Sequence, residues 1–370
     1  MLLAVRNTNA PDVHPARDPS ELCTSCSMLA SELRDATFWR KYDVRDLKSR
    51  ANSGRCALCL LLWNTCRRNG GQDLRTVQFD REGAFLKMDT VNTAVLSIVC
   101  DPEPGLYPTS DCQVGLVELP DAGSSTHLEM LRHWLRACDS NPDHACRPPS
   151  PVDTGPGFQR PRLPTRLLDV GYEGEETVFL WETKNSPQAN REWVALSHRW
   201  GKRNFSTTRE NIEEHINGIK IAVLPATFQD AITVTRALGK RFLWIDSLCI
   251  IQKEGGDFQT EATRMADVYS GAYCVIAASC AADHYDGFLR PRSARDHVTI
   301  VPEGENQSPY YICETIDSFK RHVLDGPLNS RGWVLQEHAL ARRTIFFTEQ
   351  QTYFECKDGV RCETSTRLTK

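Results

Sequence analysis

The stretch "FLWIDSLCIIQ", residues 242–252, decides how the chain is read. It is almost wholly apolar, yet Asp246, Ser247 and Cys249 sit inside it. A short apolar run bounded by charged residues is the pattern of a strand buried on both faces. The flanking sequence keeps a strand–helix rhythm. "EWVALSHRW" (192–200) reads as an apolar strand ending in polar residues, and "STTRENIEEHING" (206–218) as a short helix with Ser/Thr caps. In "LPATFQDAITVTRALG" (224–239), Pro225 suits a first turn, Phe228, Ile232, Thr235 and Leu238 share one face, and Gly239 ends the helix. "RFLWIDSLCI" (241–250) follows as the second strand. A helix over 257–272, capped by Asp257 with Met265, Val268 and Tyr269 inward, leads to a third strand, "YCVIAAS" (273–279). Apolar strands alternating with helices predict an α/β domain with a parallel sheet covered on both faces.

Residues 281–330 break that rhythm, and "HVTIV" and "PYYICET" within them predict a β-hairpin insertion. "SRGWVLQEHAL" (330–340) then reads as a helix, followed by the strands "TIFFT" and "TYFEC". Upstream, residues 1–20 read as a flexible tail, and 21–154 as a smaller Cys-rich mixed α/β domain. "NSGRCALCLLLWNTC" is helical there, with Cys56, Cys59, Leu60 and Trp63 on one face. "RTVQFD", "AFLKMD" and "AVLSIVCD" are short strands. "STHLEMLRHWLRAC" is an amphipathic helix with Leu128, Leu131, Leu135 and Cys138 on its stripe. Seven of the 20 prolines fall in residues 141–164, which marks a linker and a boundary near residue 155.

Composition narrows the function classes. The 370 residues are 40% hydrophobic and 25% charged, with a net charge of −4. No basic field favours nucleic acid, no apolar run reaches the ~18 residues of a membrane span, and the N-terminal apolar stretch is too short for a signal peptide, so a cytosolic or nuclear protein is expected, cytoplasmic first. Phosphate-loop, GxGxxG and HExxH motifs are absent. The 15 cysteines in a reducing compartment point to metal ligation or buried thiols rather than disulfides. Cys23–x2–Cys26 and Cys56–x2–Cys59 have the spacing of a four-thiolate structural zinc site, and Cys138, His144 and Cys146 are further or alternative ligands.

Ligands of parallel sheets bind beyond the carboxyl ends of the strands. Ser197, His198, Arg199 and Trp200 end the first strand, and Asp246 lies near the end of the second. Arg199 suits a phosphate and Trp200 a flat ring. Ser197 and His198 are neighbours on a strand and point to opposite faces, which argues against a nucleophile pair. Trp333 and Glu337 are four apart and share a helix face. Glu337 is then a candidate acid, base or cation stabiliser, with Glu261 its rival. Cys249, with His198 or His338, is a weaker nucleophile candidate than a buried inert thiol.

Taken in order, "LPTRLLDVG", "WVALSHRWG", "TTRENIEEHINGI", "EATRMADVYSGAYCVIAAS", "RGWVLQEHALARRTIFFT" and the segment 224–252 resemble the fungal heterokaryon-incompatibility (HET) domain over about residues 163–356. The upstream Cys pairs and "WLRACDSNPDHAC" resemble the region that often precedes it. The resemblance implies an innate-immunity role in non-self recognition, ending in growth arrest or programmed cell death. HET domains are in turn similar to Toll/interleukin-receptor (TIR) domains, some of which cleave NAD+. "VALSHRWG", "LGKRFLWID" and "AYCVIAAS" resemble the first three TIR strands. "SRGWVLQEHAL" resembles the segment carrying the TIR catalytic glutamate, four residues after a Trp. The insertion at 281–330 is a departure from the TIR pattern.

This implies a TIR-like (flavodoxin-like) core within a HET domain at 155–370. Its NAD+ glycohydrolase site would have Glu337 as catalytic residue, and Ser197, His198, Arg199, Trp200, Asp246 and Trp333 around the nucleotide. Protein partners or self-assembly would activate it. The alternative is a non-catalytic signalling module that binds protein partners.

Overall fold

The computed structural model describes residues 21–33, 37–70, 74–101, 112–141, 146, 162–185, 192–301, 308–330, 332–364 and 367–368. The expected tail at 1–20, most of the Pro-rich linker and His144 lie outside them. Two compact units emerge, each discontinuous in sequence. One holds residues 1–119, 293–317 and 363–366, and the other 120–292, 318–362 and 367–370. This division runs differently from a single boundary near 155. The helix Ser125–Asp139 belongs to the second unit, while the expected hairpin, His297–Ile300 with Tyr310–Glu314, belongs to the first.

In the first unit, strands Trp39–Asp43, Thr76–Glu82, Phe85–Met88, Thr93–Cys100, Tyr310–Glu314 and His297–Ile300 pair antiparallel in that order. Alternation explains the sheet: Val77 and Phe79 point inward, with more exposed residues between them. The inner face packs on helices Thr24–Glu32, Val44–Asn52 and Ala57–Asn69. The last of these buries Leu58, Cys59, Leu61, Leu62, Thr65 and Cys66. Leu60 is instead 46% exposed, because the buried stripe is centred one residue away from the expected one. Cys100 and Cys112 are joined as a disulfide, against the expectation of metal ligation or buried thiols rather than disulfides; the other 13 cysteines form no disulfide.

The second unit is a mixed α/β domain. Its sheet contains four central parallel strands, in spatial order Phe242–Trp244, Trp193–Ser197, Cys274–Ala277 and Thr344–Phe347. In sequence numbering that order is 2-1-3-4. Antiparallel strands extend both sides. Arg166–Asp169 and Thr177–Glu182 lie beyond the second strand, and Thr352–Cys356 and Gly359–Cys362 beyond the fourth. The sheet is therefore mixed where a parallel one was expected.

The parity of each strand sorts its residues between two cores. Val194, Leu196, Leu243, Ile276 and Ile345 face the helix Ala226–Ala237, which brings Phe228 and Ile232. Trp193, Ala195, Trp244 and Val275 face the helix Met265–Gly271 and Leu340 of the helix Gly332–Leu340. Gly239 has φ +71°, as a helix-ending glycine should.

Two expected elements are shorter than the apolar pattern suggested. The strand at 242 ends at Trp244, and Asp246–Cys249 is a single helical turn. The expected helix 257–272 is two, Phe258–Ala262 and Met265–Gly271. Between them Arg264 reaches out to the Leu163 carbonyl and Thr165. Asp257 makes no side-chain cap; it binds Arg166 at 2.6 Å and accepts from the Ile251 amide at 2.8 Å.

Candidate functional site

The carboxyl ends of the parallel strands open onto a cleft of about 770 Å³. Strand parity determines what enters it. Ser197 continues the Trp193/Ala195 face and so meets the helix Gly332–Leu340, where its hydroxyl donates to a carboxylate oxygen of Glu337. Asp246 opens the helical turn that follows the strand ending at Trp244. Trp200, Asp246 and Glu337 all line the cleft. Glu337 is only 3% exposed, so its carboxylate is largely withdrawn from water and held by Ser197.

Asp246 is fixed from two sides. The indole N–H of Trp200 donates to Oδ2 at 2.8 Å, and the Ser247 amide donates to Oδ1 at 2.7 Å. His198 Nδ1 stands 3.9 Å from Oδ1. The His198 ring lies on the other side of the sheet plane, packed edge-on to Phe228 with centroids 5.3 Å apart. Ser197 and His198 therefore diverge, the one toward Glu337 and the other toward Phe228.

The structure does not gather every expected residue. Arg199 lies two residues beyond the strand's last residue, where strand parity no longer holds, and lines a different cavity of about 410 Å³ with Arg290, Arg321 and His322. Trp333 belongs to the same helix as Glu337, but its side chain lies outside what the structure describes. Glu261 accepts from Thr165 at 2.6 Å and pairs with Arg264, away from the cleft lining. Burial pushes the Cys249 thiol up to about 12, against a hydrogen bond from the Ile245 amide, which makes it a poor nucleophile. His338 pairs with Glu355 rather than with Cys249.

Sequence reasoning missed the lip of the cleft, formed by Gln252, Lys253, Glu254, Gly255, Gly256 and Phe258. Lys253 (φ +68°) and Gly255 (φ +72°) both adopt left-handed backbone. A Cβ on Gly256 would lie 2.1 Å from the Ile251 carbonyl oxygen. The "KEGG" run after an apolar segment was the available signal, since paired glycines mark a tight return of the chain. His284 was also missed; its ring lies 4.8 Å from His198 and 5.8 Å from Trp200, centroid to centroid.

Residues 193–337 match the family model described as heterokaryon incompatibility protein (HET). Over that stretch the chain is similar to HET-domain proteins. The match begins at the first parallel strand and ends at Glu337. No curated protein and no solved structure matches the chain. Among the described residues no helix is long and apolar enough to cross a membrane.

Outside the HET match, the first unit holds a candidate metal centre. The sulfurs of Cys23, Cys26, Cys56 and Cys59 all lie within 4.8 Å of one another. Four thiolates at ~2.3 Å from a tetrahedral zinc ion stand ~3.8 Å apart, so the cluster fits such an ion. Each CxxC pair sits at the start of a helix. Cys23 precedes Thr24–Glu32, and Cys56 caps Ala57–Asn69, its sulfur accepting from the Cys59 amide at 3.5 Å. Burial raises the Cys56 thiol. The Cys23 and Cys59 amides and the neighbouring thiols outweigh that and hold it below its ordinary value. Donors of this kind favour thiolate, the form that binds a metal. The four residues can chelate a metal ion.

Proposed function

We propose that this HET domain is a cell-death effector that hydrolyses NAD+ at the nicotinamide–ribose bond, in a TIR-like site built on the Glu337 cleft. The observation that carries the reading is the buried Glu337 carboxylate, facing a nucleotide-sized cleft and held there by Ser197.

The chemistry asks for little more. The bond from ribose C1′ to the pyridinium nitrogen breaks, and its electron pair leaves with neutral nicotinamide. A positively charged oxocarbenium-like sugar remains, which water attacks at C1′ with loss of a proton. Glu337 beside the ribose stabilises that charge and accepts from the sugar hydroxyls, with Ser197 fixing the carboxylate's orientation. Trp200, locked by Asp246, offers a face on which a ring can stack. Lys253 on the lip is positioned to meet phosphate. Arg199 drops out of the nucleotide set, and Asp246 becomes the residue that orients Trp200. The Cys23/Cys26/Cys56/Cys59 centre is read as structural zinc, because four protein ligands leave no open position for substrate.

The test is nicotinamide release from NAD+ by purified protein across a wide concentration range, since activation by self-assembly belongs to the reading. Release that rises with protein concentration and vanishes in Glu337→Ala supports it. No release even from the assembled protein would leave the non-catalytic module as the better account.

A further inference from the structure

Three buried thiols stand apart from both sites. Cys138 lies in the last turn of the helix Ser125–Asp139, Cys146 follows in the chain beyond it, and Cys356 ends the strand Thr352–Cys356. All three are in the second unit, and all lie outside the matched residues 193–337. Their sulfurs nevertheless lie within 4.8 Å of one another, at residue exposures of 2%, 1% and 5%. Packing of small apolar side chains does not require three sulfurs to converge on one point.

A second observation concerns the backbone around them. The Lys357 amide donates to the Cys146 sulfur at 3.3 Å, and the Asp358 amide donates to the Cys356 sulfur at 3.4 Å. The turn after Cys356 thus aims two consecutive N–H groups at two of the three sulfurs. An amide folded back onto a cysteine two positions earlier is the backbone form of a metal-binding knuckle, in which the N–H groups stabilise thiolate and orient its lone pairs.

We propose that Cys138, Cys146 and Cys356 hold a second zinc ion, distinct from the four-cysteine centre. Each thiol gives up its proton to solvent as its sulfur–metal bond forms. Soft thiolates suit zinc, and three of them leave the fourth position of a tetrahedral ion to a water or another ligand. The ion ties the helix that precedes the HET match to the hairpin strand that follows it. In effect it closes a loop around the whole matched segment.

Zinc content of the purified, reduced full-length chain tests this. The decisive quantity is the difference between the unmutated chain and Cys356→Ser: one equivalent lost is expected, with Cys356→His, which keeps a ligand, retaining it. Equal zinc in the unmutated chain and Cys356→Ser overturns the proposal. So does a disulfide between any two of these cysteines in the protein isolated without reductant and with its metal retained. Cadmium NMR of the unmutated chain does not depend on a variant folding. A resonance displaced from the four-thiolate position toward that of three thiolates is expected, and its absence overturns the proposal.

Discussion

Ser197 and Glu337 make their hydrogen bond across 140 positions of sequence. If the Ser197 hydroxyl fixes the catalytic carboxylate, Ser197→Ala removes a charge-assisted hydrogen bond worth ~1.5–3 kcal/mol. The expected result is a roughly ten- to hundred-fold fall in kcat, with a smaller change in KM, measured as steady-state nicotinamide release. Cys249 gives the opposite expectation. Its buried thiol, pushed up to about 12, should resist alkylation in the native protein at neutral pH, and Cys249→Ser should keep full activity. Loss of turnover in Cys249→Ser with folding intact would reinstate it as a nucleophile. Ser197 and Glu337 were legible as candidates because strand and helix periodicity carries side-chain direction as far as the element ends, whereas Asp246 lies beyond the strand that ends at Trp244. The direction of Arg199 was not legible, because the strand stops at Ser197 and periodicity says nothing about the next turn.

At the scale of elements, short polar ties matter most. His215 lies on the helix Ile212–Asn217, with Nδ1 at 2.9 Å from the Thr207 hydroxyl. That hydroxyl donates to the Leu248 carbonyl at 2.7 Å, so the imidazole supplies the proton at Nδ1. Burial holds His215 below its ordinary value, partly offset by Glu214. The unfolded chain therefore takes up a proton at higher pH than the folded one. This contribution to stability is intact above the unfolded value of ~6.5 and is lost as pH falls toward the folded value. A His215→Gln variant should show a shallower fall in Tm below pH ~6.5 than the unmutated chain. An unchanged slope would count against it.

Gly256 sets the lip of the cleft. Gly256→Ala meets a backbone oxygen rather than a movable side chain, so the loop must shift. A destabilisation of ~1–3 kcal/mol, read by denaturant titration, is expected together with weaker NAD+ binding. These elements also show why apolar runs overstate strand length. The run 242–252 holds a three-residue strand and a helical turn, because most of each is buried and hydrophobicity alone does not distinguish them.

At the scale of the whole molecule, the units were the least legible feature. The hairpin at 297–314 was visible as two strands, but its partner, Thr93–Cys100, lies some two hundred residues earlier, and local pattern carries no such address. The two CxxC pairs were legible because ligand spacing is local. The Cys138/Cys146/Cys356 cluster was only half legible, since Cys356 arrives from a distant strand. Binding energies of ~10–16 kcal/mol for structural zinc exceed the stability of most domains. A strong chelator, or Cys56→Ser, should therefore abolish the cooperative melting of the first unit, as seen by calorimetry. Unaltered melting would argue against a metal there.

The claim that unites these scales is that the Glu337 cleft cleaves NAD+. The direct measurement is proton NMR of NAD+ incubated with concentrated wild-type protein, beside Glu337→Gln of matched Tm. The account predicts equal amounts of nicotinamide and ADP-ribose from the wild type, and none above background from the variant. Equal rates from both proteins, or intact NAD+ in both, would contradict it.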